Sequence, residues 1–159
     1  MQVDDGQHRV GTALVACQFG LILLCLLPVG PVIGSGQLRP LGLICLVLAA
    51  TVGGLALVSM GSDTKVHPIP DAGAELHTNG IYAWIRHPMY AAVLLACLGV
   101  VLSTGRVVSI AAFLALLFVL HVKGRFEDGL LTEMFGAQYT DYAARVPAMI
   151  PQPWRSRDR

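Results

Sequence analysis

Two stretches of this chain, Val10 to Pro28 and Leu41 to Met60, contain no charged residue, and each is long enough for a helix to cross a hydrocarbon core of ~30 Å. A backbone in lipid must satisfy its own hydrogen bonds, so such stretches restrict the chain to membrane helices. The whole composition agrees. Of the 159 residues, 55% are hydrophobic and only 13% charged, about half the charge of a soluble domain, and mean hydropathy is +0.65. A cleavable leader would place basic residues before a shorter apolar run, whereas Asp4 and Asp5 precede this one, so the first span is expected to be retained.

Two further apolar runs follow, giving spans at about 10–28, 40–60, 88–102 and 107–122. The expected fold is an all-α integral membrane protein of about four transmembrane helices, one domain over 1–159, closing on an amphipathic C-terminal helix. Phe126, Leu130, Leu131, Met134 and Phe135 recur at helical spacing and mark its apolar stripe. Gly53 and Gly54 are candidates for close helix approach, although a tolerated glycine pair reads the same way. Pro88 sits where a helix can begin. The net charge of +1 excludes the basic stripe of a nucleic-acid binder. Cys17, Cys25, Cys45 and Cys97 are scattered through apolar stretches without a His or Cys neighbour, so they read as packing residues and no metal site is expected. With no charge inside any expected span, nothing marks a transport path.

The basic residues set an orientation. Arg9, Lys65, Arg86, Lys123, Arg125, Arg145, Arg155, Arg157 and Arg159 fall on one side, and only Arg39 and Arg106 on the other, which predicts both termini in the cytoplasm. The polar 61–87 stretch then shares a side with the C-terminal segment.

Chemistry concentrates in those two segments. The first reads Gly80-Ile81-Tyr82-Ala83-Trp84-Ile85-Arg86-His87-Pro88-Met89-Tyr90. Arg86 and His87 stand at a helix entrance, where free N–H groups favour an anion, and Tyr90 lies one turn further on. The second holds Lys123, Arg125, Glu127 and Asp128, then Phe135-Gly136, Tyr139 and Tyr142. Physical chemistry alone leaves each open: a ligand pocket, or an interfacial belt of Tyr82, Trp84 and snorkelling arginines with charges turned to water.

Taken in order, these segments resemble those of the isoprenylcysteine carboxyl methyltransferase family, wider relatives of which are the phospholipid methyltransferases. The likeness runs from about residue 60 to 151. It takes in Pro68-Ile69-Pro70, Glu75 to Gly80, the Arg86-His87-Pro88-x-Tyr90 core, Glu127-Asp128, Leu131, Phe135-Gly136, Tyr139, Tyr142, Val146-Pro147 and Ile150-Pro151. It implies an S-adenosylmethionine-dependent methyltransferase of a lipid-like or small apolar acceptor, with a carboxylate among the possibilities, and its catalytic part at 61–151. By the same likeness, Tyr82, His87, Pro88, Tyr90, Glu127, Tyr139 and Tyr142 would bind the donor. Arg86 and Arg125 would be the cations for a carboxylate. A carboxylate acceptor needs no general base; for an amine or phenol His87 is the candidate. Two departures stand out: Asp128 where the family carries Glu, and Gly124 inside a helix. They keep open a non-catalytic four-span relative. A nicotinamide-dependent membrane reductase of related architecture is the other alternative.

Overall fold

The computed structural model describes residues 5–33, 36–60 and 76–150. The expected loop over 61–75, with Pro68, Pro70 and Glu75, and the stretch from Pro151 onward lie outside them. The described chain is helical throughout: α1 (Asp5–Leu26), α2 (Arg39–Met60), a 3-10 turn (Gly80–Ala83), α3 (Pro88–Thr104), α4 (Val107–Phe135) and α5 (Ala137–Arg145). Three of these helices, α1, α2 and α4, are long and apolar enough to cross a membrane. The fourth apolar helix, α3, has 17 residues and spans about 25 Å at 1.5 Å per residue.

The packing is inside-out relative to a soluble bundle. Val58 is 81% exposed and Val47 66%, with Leu43, Ile44, Leu23 and Phe118 also outward, a surface that only a lipid phase accommodates. The protein is an integral, multi-pass membrane protein. One core is small or aliphatic, formed by Cys25, Cys97, Ala112, Leu116 and Leu120. Cys45 is buried on α2 while Cys17 is exposed.

Helix α3 packs mainly on α2, α4 on α1, and α3 and α4 join the two pairs. The α2–α3 crossing is closest at Gly42 and Gly99. A Cβ on Gly42 would lie 2.7 Å from the Gly99 carbonyl oxygen, and one on Gly99 would lie 2.8 Å from that of Gly42. Gly53 and Gly54 are the tolerated pair of the two readings and not the point of close approach. Gly53 faces Ala92 at an ordinary distance and Gly54 faces open space. The reason is register: glycine matters only where it points at the partner helix.

At one end of the bundle the α1–α2 and α3–α4 connections meet. Ile33 N–H donates to the Gly105 carbonyl (2.9 Å) and Val107 N–H to that of Pro31 (3.0 Å). Gly105, with φ of 59°, makes the turn that ends α3. Helix α3 begins at Pro88, which occupies the first turn as expected. Helix α4 does not stop near Val122. Its 29 residues extend about 44 Å, so its last third projects beyond a ~30 Å core and carries the expected amphipathic stripe. Gly136, with φ of 55°, then breaks the chain into the short α5.

Candidate active site

The opposite end of the bundle collects the start of α3, the extension of α4, and α5 with the segment after it. Two backbone bonds fasten them together. Arg86 N–H donates to the Pro147 carbonyl (2.9 Å) and His87 N–H to that of Ala148 (2.8 Å). The Val146-Pro147 segment thus serves as a strap that fixes the entrance to α3. Tyr139, Tyr142 and Val146 pack with Leu76, Leu131 and Phe135 beneath it. The Tyr142 hydroxyl donates to the Tyr82 carbonyl (2.7 Å), tying α5 to the 3-10 turn.

Two consecutive carboxylates organise the side chains. Glu127 accepts a hydrogen bond from the Tyr90 hydroxyl (2.7 Å) and lies 3.5 Å from His87 Nδ1. Asp128 accepts from His87 Nε2 (2.9 Å) and from the Tyr139 hydroxyl, and pairs with Arg86 Nη2 at 3.3 Å. The Arg86 guanidinium also lies 5.9 Å from the Tyr139 ring centroid, and the His87 and Tyr90 rings stack at 5.2 Å. Both nitrogens of the buried His87 therefore face carboxylates. Burial works against its charge, but the hydrogen bonds and charges of Asp128 and Glu127 outweigh burial and push its pKa up to about 9. His87 is an imidazolium at neutral pH, donating through Nε2 to Asp128 and paired through Nδ1 with Glu127. Burial, reinforced by the charge of Glu127, pushes the Tyr82 phenol up to about 12, and Tyr139 is raised by burial and by Asp128.

Beside this cluster opens a cavity of about 660 Å³, a size usual for small-molecule sites. Its walls include Arg86, Arg125, His121 and Asp128 on the polar side and Ala148, Met149 and Ile150 on the apolar side. Arg86 Nε is buried without a hydrogen-bond partner, so the guanidinium keeps one donor unused.

Of the residues expected from the sequence, His87, Tyr90, Glu127, Tyr139 and Arg86 come together in one hydrogen-bonded cluster. Arg86 and Arg125 meet at the cavity. Pro88 is buried at the first position of α3, while Tyr82 and Tyr142 meet through the Tyr82 carbonyl. Trp84 is 55% exposed. Sequence reasoning does not name Asp128 as a site residue, yet it joins Arg86, His87 and Tyr139. Gly124 was read as a departure. A Cβ there would lie 3.4 Å from Met149 Cε and 3.6 Å from His87 Nε2, so the position abuts both the cluster and the cavity wall. Lys123, in the polar segment after the fourth expected span, is 1% exposed and donates to Gln18 Oε1 of α1 at 2.7 Å.

Comparison with known proteins bears on the whole arrangement. The family model for phospholipid methyltransferases matches residues 38–138. Protein-S-isoprenylcysteine O-methyltransferase B of Arabidopsis thaliana is 29% identical over 114 residues, covering 69% of this chain and 57% of its own. The nickel-cobalt-cadmium resistance protein NccN of Alcaligenes xylosoxydans xylosoxydans is 36% identical over 108 residues, 67% of this chain and 46% of NccN. The protein-S-isoprenylcysteine O-methyltransferase of Schizosaccharomyces pombe is 35% identical over 77 residues, 48% of this chain and 33% of its own. The chain spans about half the length of the curated relatives it matches. In fold it is similar to a eukaryotic intramembrane Ras methyltransferase, isoprenylcysteine carboxyl methyltransferase. That similarity has a TM-score of 0.66 at 22% identity, covering 95% of this chain and 54% of that one.

Proposed function

The chain belongs to the phospholipid methyltransferase family, and from that membership we propose that it is a membrane-embedded methyltransferase taking S-adenosylmethionine as donor and a lipid-like or small apolar acceptor. One observation carries the reading: two carboxylates, held by His87, Tyr90 and Tyr139, stand beside a cavity that also presents two arginines.

The donor set fits this cavity chemically. Asp128, in the cavity wall, suits ammonium and hydroxyl groups, with Glu127 and the tyrosines in the cluster behind it. Arg86 and Arg125 suit a carboxylate, and Met149 and Ile150 suit an apolar ring. When bound, the donor supplies an activated methyl group on a positively charged sulfur. The chain's own task is then alignment. The strap from Pro147 and Ala148 fixes Arg86 and His87, and these fix Asp128.

Because His87 is protonated at neutral pH and engaged on both nitrogens, it has no capacity to act as a general base. That favours an acceptor already ionised, a carboxylate, over an amine or phenol. The cluster also supports catalysis over a non-catalytic scaffold: Asp128 engages Arg86, His87 and Tyr139 together, despite being shorter than glutamate. The site end of the bundle is assigned to the cytoplasm, with both termini there. Arg86, Lys123, Arg125 and Arg145 lie at that end and Arg39 and Arg106 at the other. The water-soluble donor then enters from the cytoplasm and the acceptor from the bilayer.

The test is binding of S-adenosylhomocysteine to the purified protein in detergent, wild type beside Glu127→Ala. Saturable binding that the variant loses is the expected result. A well-folded wild type that binds none overturns the reading.

A further inference from the structure

Resting on the donor-site reading above, we propose that Gln18 of α1 is a positioning residue of the site: it holds the Lys123 ammonium against the Tyr90 ring and so sets the Tyr90–Glu127 pair. Gln18 lies outside residues 38–138, the stretch matched by the family, and no motif points to it.

Lys123 is 1% exposed and Gln18 6%, at the contact between α1 and α4. A lysine so deeply buried in a membrane protein is costly and marks function more often than packing. Its Nζ donates to Gln18 Oε1 at 2.7 Å and lies 5.0 Å from the centroid of the Tyr90 ring, whose negative face attracts the cation. The same tyrosine stacks on His87 and donates through its hydroxyl to Glu127 Oε2 at 2.7 Å. Lys123 and Glu127 are one turn apart on α4, so one ammonium addresses both members of the pair. The amide of Gln18 matters here because it accepts a hydrogen bond without cancelling the charge. A carboxylate at that position would neutralise Lys123 and leave Tyr90 and Glu127 facing no net cation.

The alternative is that the pair merely satisfies a buried lysine. The two roles separate in a double variant. Removing one partner of a buried charged pair leaves the other uncompensated, whereas replacing both with apolar residues is close to neutral for stability. Four proteins are compared in detergent for melting temperature and S-adenosylhomocysteine binding: wild type, Gln18→Leu, Gln18→Leu/Lys123→Met, and Glu127→Ala. Gln18→Leu is expected to melt lower and to bind roughly tenfold more weakly, the usual size for a lost polar contact behind a binding group. The double variant is expected to regain the melting temperature but not the binding. Recovery of both by the double variant makes the contact structural only and overturns the proposal. So does wild-type binding by Gln18→Leu while Glu127→Ala loses it, a result that leaves the donor site standing. Absence of binding by the wild type itself removes the donor site and this role together. If Gln18→Leu does not fold, the double variant decides alone.

Discussion

Neutralising His87 should unlock the end of the bundle, and pH does this without a mutation. Its folded pKa of about 9 lies above the ordinary 6.5, so protonation favours the folded state. The contribution is complete below pH 6.5 and disappears as pH rises through about 9. A shift of about 2.5 units is worth roughly 3 kcal/mol at its fullest, of which about 2 kcal/mol is left at pH 7.5 and almost none at pH 10. For a chain of this size each kcal/mol moves the melting temperature by about 2–4 °C, so the loss between pH 7.5 and 10 is about 4–8 °C. The assay is thermal unfolding in detergent across pH 6–10, wild type beside His87→Gln. The variant keeps a hydrogen-bonding side chain but cannot titrate, so the difference between the curves isolates this group from the tyrosines and lysines that titrate in both. The two curves should converge as pH rises. Parallel curves across that range would refute the imidazolium between Glu127 and Asp128.

Asp128→Asn removes the charge that Arg86 and His87 share, and should cost about 2–3 kcal/mol in stability and abolish S-adenosylhomocysteine binding; a variant that melts and binds normally contradicts the cluster. Gly124→Ala should raise stability by up to ~1 kcal/mol from helix propensity, since its new methyl meets only ordinary contacts with Met149 and His87. A lowered melting temperature would show that the position is tighter than the geometry indicates. Gly42→Val should force α2 and α3 apart and cost about 1–3 kcal/mol, with Gly54→Ala, which faces open space and gains only helix propensity, as the control without a clash. In a background without native cysteines, Gln37→Cys should be labelled by an impermeant thiol reagent on intact cells and Asn79→Cys only after permeabilisation, and the reverse pattern would invert the proposed orientation.

The apolar helices were legible because membrane insertion depends on composition over some twenty residues, which needs no knowledge of tertiary contacts. The end of α4 was not. The composition changes at Lys123 while the helix continues to Phe135, since the pattern that marks the edge of a bilayer does not mark the end of a helix. Gly42 and Gly99 look no different in sequence from Gly53 and Gly54, and only the crossing geometry selects them. Gln18 and Lys123 are separated by 105 residues, so nothing local could pair them.

Within the site, the distinction between Glu127 and Asp128 shows most clearly what sequence leaves out. Two adjacent acids read as one acidic feature, and the second was noticed only because it is one methylene shorter than the family's residue. On a helix, neighbours point about 100° apart, so the two carboxylates serve different partners. Glu127 reaches Tyr90, a turn inside α3, while Asp128 reaches the Arg86 guanidinium, His87 Nε2 and the hydroxyl of Tyr139 on α5. His87 lies between them, and this makes one acid a gauge of the other: removing either should lower the His87 pKa, whereas only removing Asp128 should break the Tyr139 tie to α5. The shorter side chain is thus no sign of a decayed site. The strap from Pro147 and Ala148 draws Arg86 and His87 to where an aspartate meets them, and the length of the acid and the position of the strap have to be read together.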